Sequence, residues 1–357
     1  MEIEIQDALK RSDLIFIDVR SPKEFAATSI PGAINLPLFN NSEQEELGIT
    51  YHQYGELAAR KKALKFAAPK LPEIVEEVSI LTKNKVPLFY CSRGGLRSLS
   101  ISMVFSLTGL PVLRLKQGYK GYRRYVSNRL KNFQLSNKVF VLNGLTGVGK
   151  TAIIKELQKM NIAAIDLEGL ASHRGSVFGS IGITEKRSQK DFEALLLKEL
   201  DSVKEMPYLV LEGEGKKIGD IILPPFLRAL IKHASHILLT TDLETRVNRI
   251  VTCYIPGNPQ DDTIVSLKKA VSSLQKRLGS PLTRQVLSLI DKRDFATAAR
   301  IMCSNYYDCF YKESNPTQKS FLAIIDSTNI SEAADQVALL VKNKLENDII
   351  LKGAFVT

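Results

Sequence analysis

The sequence predicts an α/β protein built from two parallel-sheet domains. Three observations carry this. Short apolar runs alternate with helical periodicities along most of the chain. The run 86–90, VPLFY, leads into Cys91, a glycine-containing polar loop and a helix. The run 138–142, KVFVL, leads into a second glycine loop at 144–151 and a second helix. Each loop stands at the C-terminal end of a strand, where α/β proteins place their sites. A chain of 357 residues is long for one core, so two domains are expected, at 1–134 and 135–357. The stretch 134–137, QLSN, reads as the joint, and about 263–314 as a helical insertion in the second domain.

In the first domain, 14–20 (LIFIDVR) reads as a strand ending in polar residues. Ser21 reads as a helix cap, with Pro22 at the first helical position and Glu24 at the third. The segment 30–36 reads as a turn and a strand, 39–70 as a polar irregular connection, and 71–82 as an amphipathic helix. After the strand 86–90 come a helix over 97–107, a strand over 112–115 and a basic helix over 119–130.

The chemistry of this half centres on 86–98, VPLFYCSRGGLRS. Gly94 and Gly95 let the backbone bend so that successive amides point inward. Together with Ser92 and Leu96 they form a candidate anion loop. Arg93 and Arg97 flank it, Arg97 standing six positions after the cysteine. Amides at a helix N-terminus and nearby cations favour a thiolate, so Cys91, Arg93 and Arg97 are the candidate catalytic set. A buried structural cysteine is the plainer alternative, but it has no use for paired glycines and arginines.

The second half carries Gly144-Leu-Thr-Gly-Val-Gly-Lys-Thr151, which matches G-x-x-x-x-G-K-[ST] between a strand and a helix over 151–160. Gly144, Thr146, Gly147, Gly149, Lys150 and Thr151 are therefore candidate diphosphate-binding residues. Thr151, Asp166 at the end of strand 162–166, and Glu212 after strand 208–211 are candidate Mg²⁺ ligands. An ordinary strand-end carboxylate is the alternative for Glu212. A strand at 236–240 precedes a helix bearing Arg246 and Arg249. The segment 263–311 reads as helical, 321–326 as a last strand, and Ser331 as the cap of a closing helix to about 346. His173 lies in a polar HRGS loop.

The formal net charge is +11, and its distribution says more than its size. Between Glu77 and Glu156 there is no acidic residue, while the interval holds fourteen lysines and arginines. That asymmetry suggests a polyanionic partner. Tyr119 and Tyr122 interleave with Lys120, Arg123 and Arg124, a pattern suited to stacking on and phosphate contact with an RNA loop. The plainer reading makes the tyrosines a core face. No apolar run approaches the roughly 20 residues of a membrane span. No secretory signal is seen, and the four cysteines lack metal-ligand spacing, so a cytoplasmic protein is expected.

DVRSPKEF, IPGAINLP, YCSRGGLRS and KQGYKGYR, in that order, resemble a rhodanese domain over about residues 1–130. The C-x5-R spacing is one residue longer than the usual rhodanese loop and is shared with cysteine-dependent phosphatases, which favours a phosphate-like group. With DLEGLASHRGSVFG at 166–179, LVLEGEGKKIG at 209–219, KRLG at 276–279 and NYYDCFY at 305–311, the whole chain resembles the bacterial tRNA 2-selenouridine synthase family. The resemblance implies a rhodanese-like domain followed by a P-loop NTPase-like domain with an appended helical region. It implies conversion of 2-thiouridine to 2-selenouridine in the anticodon region of tRNA. The substrates would be selenophosphate and geranyl diphosphate, with an S-geranyl intermediate, Mg²⁺ as a candidate ion and no tightly bound cofactor. No protein partner is implied. Family members usually carry tryptophan directly after the catalytic cysteine; here Ser92 stands there, and the chain has no tryptophan. A cysteine phosphatase, a P-loop small-molecule kinase and a non-catalytic tRNA-binding protein are the rival readings.

Overall fold

The computed structural model describes residues 1–135, 138–183, 185–255, 257, 259–309 and 321–353. By its contacts the chain divides into two units. One comprises Met1–Asn132 with Ser188–Leu197, the other Phe133–Arg187 with Lys198–Thr357. Part of the expected joint (136 and 137) and the end of the expected helical insertion (310–314) lie outside the described residues.

The first unit holds a parallel sheet of β1 (Glu2–Ile3), β2 (Leu14–Asp18), β3 (Ile34–Asn35), β4 (Val86–Tyr90) and β5 (Leu113–Leu115). Their order is β1-β5-β4-β2-β3. The β2–β4 pairing runs from Leu14 opposite Val86 to Asp18 opposite Tyr90. The chain moves outward from β2 to β3, then returns on the other side of β2 as β4. Cys91 therefore follows a strand at a topological switch point.

Helices α1 (Ile5–Ala8), α2 (Pro22–Ala27), α3 (Asn41–Ala67), α4 (Leu71–Thr82), α5 (Leu96–Ser106) and α6 (Gly118–Lys131) also belong to this unit. The expected cap at Ser21 is present: its hydroxyl accepts from the Glu24 amide, and the Glu24 carboxylate accepts from the Ser21 amide. Asp18 and Arg20 form a fully buried ion pair at 2.6 Å. Val78, Phe89, Ile101 and Phe105 pack the core beneath the cysteine loop.

The segment 39–70 is not the irregular connection its composition suggested. It is the long helix α3, started by Asn40 with Glu43 as a reciprocal capping pair and broken at Gly55, whose φ is +81°. The helical period is hidden because Ile49, Tyr51, Tyr54, Leu57 and Leu64 are exposed on it. An exposed apolar residue on every face leaves no stripe to read.

The second unit has a parallel sheet of β6 (Lys138–Asn143), β7 (Ala164–Ile165), β8 (Tyr208–Glu212), β11 (Ser235–Thr240) and β12 (Ala323–Asp326), ordered β12-β11-β6-β8-β7. A small hairpin, β9 (Lys217–Ile218) and β10 (Ile221–Ile222), follows β8. The central strand β6, between β11 and β8, feeds the glycine loop and α7 (Lys150–Lys159). After α8 (Leu167–Ala171), α9 (Gln189–Val203) and α10 (Pro225–His233) comes α11 (Leu243–Tyr254), which leads into the helical layer. That layer is α12 (Asp261–Ser273), α13 (Gln275–Leu278), α14 (Ser280–Asp291) and α15 (Phe295–Met302), packed through Leu267, Val271, Val286, Ile290 and Met302.

The closing helix spans Ile330–Gly353. Its cap is Asn329 rather than Ser331: the Asn329 side chain accepts from the amides of Ser331 (3.1 Å) and Glu332 (3.3 Å). A cap must precede the helix it serves, and Ser331 already lies inside. Among the described residues no helix is long and apolar enough to cross a membrane.

Candidate active sites: a thiol loop and a phosphate loop

Cys91 is buried, with its Sγ 3.2 Å from the Gly95 amide and 3.3 Å from the Ser98 hydroxyl. Burial pushes the thiol up, but the Ser98 hydroxyl and amide, the Arg93 amide and the Arg97 charge together hold it below its ordinary value. This is the thiolate-favouring environment that the paired glycines suggested.

The loop is closed from behind by α6. The Tyr119 amide donates to the Cys91 carbonyl and the Lys120 amide to the Ser92 carbonyl, both at 2.9 Å. Gly118 makes this approach possible. A Cβ there would lie 2.1 Å from the Cys91 carbonyl oxygen, and its φ is +53°. With these carbonyls drawn back toward α6, the loop amides are left to face a ligand.

Arg97 is held by Glu24, not left as an open cation. Its guanidinium donates to Glu24 Oε2 at 2.6 Å, Gln44 Oε1 at 3.0 Å and Ser92 Oγ at 2.9 Å, and Ser92 in turn donates to Glu24 Oε1 at 2.7 Å. Burial acts to raise the Glu24 carboxyl, but the Arg97 hydrogen bonds and charge, with Ser92 and the Ser21 amide, bring it down to about 2. Glu24 is therefore ionised at neutral pH and cannot serve as a general acid. Arg93 and Leu96 are exposed on the loop rim. Sequence reasoning placed Glu24 only as a helix cap and did not single out Ser98. The spacing of C-x6-S offers a signal for Ser98; nothing local in sequence brings Glu24 to residue 97.

The expected RNA-facing set on α6 divides. Tyr119 and Tyr122 are 8% and 4% exposed, so they are core residues and do not stack on a base. Tyr119 covers the Arg20 guanidinium, whose central carbon lies 4.2 Å from the ring centroid. Arg123 pairs with Glu193 at 2.6 Å. Lys120 and Arg124 are the exposed cations of the set.

In the second unit the glycine loop is gripped through its carbonyls. Arg246 Nε donates to the Thr146 carbonyl at 2.8 Å, and Arg249 and Ser327 Oγ each donate to the Val148 carbonyl at 2.8 Å. Arg246 is itself fixed by Asp308 at 2.6 Å. Gly147, at φ +86°, allows the contact with α11, since a Cβ there would meet the Arg246 carbonyl at 2.9 Å and Ile250 Cδ1 at 3.1 Å. Gly144 and Gly149 likewise adopt positive φ. Lys150 Nζ donates to the Gly144 carbonyl at 3.1 Å, across the cradle an anion would fill. The loop thus has the form its sequence announced.

The acids beside it are Glu168, Glu212 and Glu214, with one oxygen of each within 4.8 Å of the others. Thr151 Oγ1 donates to Glu168 at 3.0 Å and is 3.3 Å from Glu212. Glu212 is fully buried, and its Oε1 has no hydrogen-bond partner among the described residues. Burial, followed by the Glu168 charge, pushes the Glu212 carboxyl well up and raises Glu214 to about 7. Hard oxygen donors, an orphaned carboxylate oxygen and a P-loop threonine fit a divalent cation such as Mg²⁺. Asp166 stands beside this trio: it caps α8, accepting from the Gly169 amide at 2.7 Å, and its charge helps to raise both Glu168 and Glu212. The alternation LEGEG at the end of β8 was the available signal for Glu214. His173 is packed against Gly179 and Gly219, and burial lowers its pKa.

Residues 137–339 match the tRNA 2-selenouridine synthase AAA domain, and residues 3–125 match the rhodanese-like domain. A tRNA 2-selenouridine synthase of Sulfurovum sp. (strain NBC37-1) is 33% identical over 323 residues, covering 83% of this chain and 87% of that protein. One from Hydrogenovibrio crunogenus is 33% identical over 320 residues, with the same coverages. A third, from Verminephrobacter eiseniae, is 34% identical over 256 residues, 70% of this chain and 68% of that one. The order of the two matched domains is the order of the two loops, and on these grounds the chain belongs to the tRNA 2-selenouridine synthase family.

Proposed function

We propose that this chain is a tRNA-modifying transferase that replaces the sulfur of wobble 2-thiouridine with selenium, through an S-geranyl intermediate. The observation that supports it best is the pairing, on one chain of this family, of two anion cradles with different chemistry. One surrounds a thiol held toward its thiolate; the other surrounds a lysine and three carboxylates.

In the first step the uridine sulfur attacks C1 of geranyl diphosphate. A C–S bond forms, the C–O bond breaks, the electron pair leaves with diphosphate, and the N3 proton of the base passes to solvent. The loop amides and Lys150 bind that leaving group and stabilise its charge. A divalent cation held by Thr151, Glu168, Glu212 and Glu214 would add to this neutralisation. In the second step selenium of selenophosphate attacks C2 of the base and geranyl thiolate departs. Water then cleaves the Se–P bond to give phosphate. The Cys91 loop binds the selenophosphate, and the Cys91 thiolate acts in this step. A phosphatase reading of the same loop needs a proton donor, and Glu24, paired with Arg97, is held ionised.

The two steps are expected to separate. Cys91→Ala should still geranylate 2-thiouridine tRNA and stall there. Lys150→Ala should slow geranylation on the order of 10²-fold or more, yet selenate a supplied geranylated tRNA. Mass spectrometry of the nucleosides reads both. Loss of geranylation in a folded, tRNA-binding Cys91→Ala protein would replace the division of labour with one composite site.

A further inference from the structure

A phosphate loop binds through backbone amides, so the direction of each peptide unit decides what a ligand meets. In a trans peptide the carbonyl and the following N–H point opposite ways. A carbonyl held toward the protein interior therefore turns the next residue's amide outward, into the cradle. Two alternate carbonyls of the loop are held in this way. Arg246 Nε donates to that of Thr146, and Arg249 and Ser327 Oγ both donate to that of Val148, each at 2.8 Å. The amides that follow belong to Gly147 and Gly149, at φ +86° and +98°, values that favour glycine.

We infer that Arg246, Arg249 and Ser327 are positioning residues for the leaving group: they fix the Thr146 and Val148 peptide units so that the amides of Gly147 and Gly149 face the diphosphate, and Asp308 holds Arg246 in place. The inference rests on the assignment of this loop to a diphosphate, and deepens it.

These side chains act through the loop rather than on the ligand. Arg246 is 3% exposed and has all three guanidinium nitrogens on protein oxygens, the two terminal ones bonding the Asp308 carboxylate at 3.0 and 2.6 Å. Arg249 places its other terminal nitrogen on the Ser327 and Thr328 carbonyls, at 2.7 and 2.9 Å. Ser327 is fully buried. The packing leaves the loop little slack: a Cβ on Gly149 would lie 2.5 Å from Ile330 Cδ1 and 3.2 Å from Arg249 Nη1. Asp308 directly follows the π-helical turn Cys303–Tyr307, and such turns are rare and recur at functional sites. A guanidinium on a peptide carbonyl also polarises that unit and strengthens its N–H as a donor. As the C–O bond breaks, charge builds on the diphosphate, and amides already aimed at it stabilise that charge without reorganising.

The test is titration of the full-length protein with inorganic diphosphate, together with kcat and KM for geranyl transfer to 2-thiouridine tRNA, well below each variant's melting transition. Charge and position predict opposite signs for Asp308→Asn. Removing an anion would by charge alone tighten diphosphate binding; loosening Arg246 should weaken it several-fold. Ser327→Ala, which changes no charge, should weaken it about fivefold and lower kcat by more than it raises KM. Arg249→Gln should weaken it about tenfold or more, and Arg249→Lys, which keeps a donor, should recover part of the loss. A purely structural defect lowers the number of binding sites and leaves Kd and KM where they were. Tighter or unchanged binding by Asp308→Asn removes Asp308 from the inference; wild-type Kd and kcat in folded Ser327→Ala and Arg249→Gln overturn it as a whole. Those two variants decide the matter if Asp308→Asn fails to fold. Inorganic diphosphate that does not bind the unaltered protein, or binds Lys150→Ala equally well, overturns the assignment beneath it.

Discussion

At the scale of single residues, the thiol loop shows a charge balance that composition concealed. The interval around Cys91 is free of acids in sequence, yet Glu24 reaches it across the fold and pairs with Arg97. What the loop offers an anion is its backbone amides rather than an open arginine. Cys91 itself was legible, because glycines, a following helix and a strand end are all local. Its partner Glu24 was not, since the meeting of residues 24 and 97 is a product of strand order. The expected consequence is measurable. Alkylation of Cys91 should rise with pH about a midpoint below that of the same thiol in the denatured chain. Ser98→Ala should move the midpoint up and slow alkylation at neutral pH several-fold, because a hydrogen bond to the thiolate is lost. A midpoint equal to that of the denatured chain would remove the basis for a catalytic thiolate.

At the scale of elements, the conformation of the glycine loop was readable, since its glycines, Lys150 and Thr151 form one contiguous motif. Helix α6 was readable only in part. Its tyrosines sit between cations in sequence, but Tyr119 and Tyr122 are buried, Tyr119 covering Arg20, which leaves Lys120 and Arg124 outside. A helix places neighbouring residues on different faces, so interleaving in sequence is not interleaving on a surface. The tRNA contact expected of α6 therefore falls on charge alone. Replacing Lys120 and Arg124 with glutamine should weaken tRNA several-fold and reduce the slope of log K against log salt by about 2, whereas Tyr122→Phe should leave affinity unchanged. An unaltered salt slope would place the RNA elsewhere. Helix α3 was missed for the related reason that its exposed apolar side chains blur its period.

At the scale of the whole molecule, both sheets and the order of the two domains were legible, because a parallel α/β sheet repeats its strand–helix pattern along the chain. What a linear reading could not supply is the return of Ser188–Leu197 to the first unit. There Glu193 pairs with Arg123 at 2.6 Å, and the Lys190 carbonyl accepts from the same guanidinium at 3.3 Å. Residues 1–132 expressed alone leave that half-buried arginine without either partner, at a cost of about 1–3 kcal/mol. The fragment is expected to melt below the corresponding transition of the intact chain, and Arg123→Gln should narrow the difference. Coincident transitions would show the segment to be dispensable. The history of the gene is constrained in the same way. The thiol-bearing half, though it precedes the other in sequence, is not a cassette with a single downstream border. A recombination event that moved it to another gene at residue 132 would leave ten of its own residues behind, more than fifty codons away.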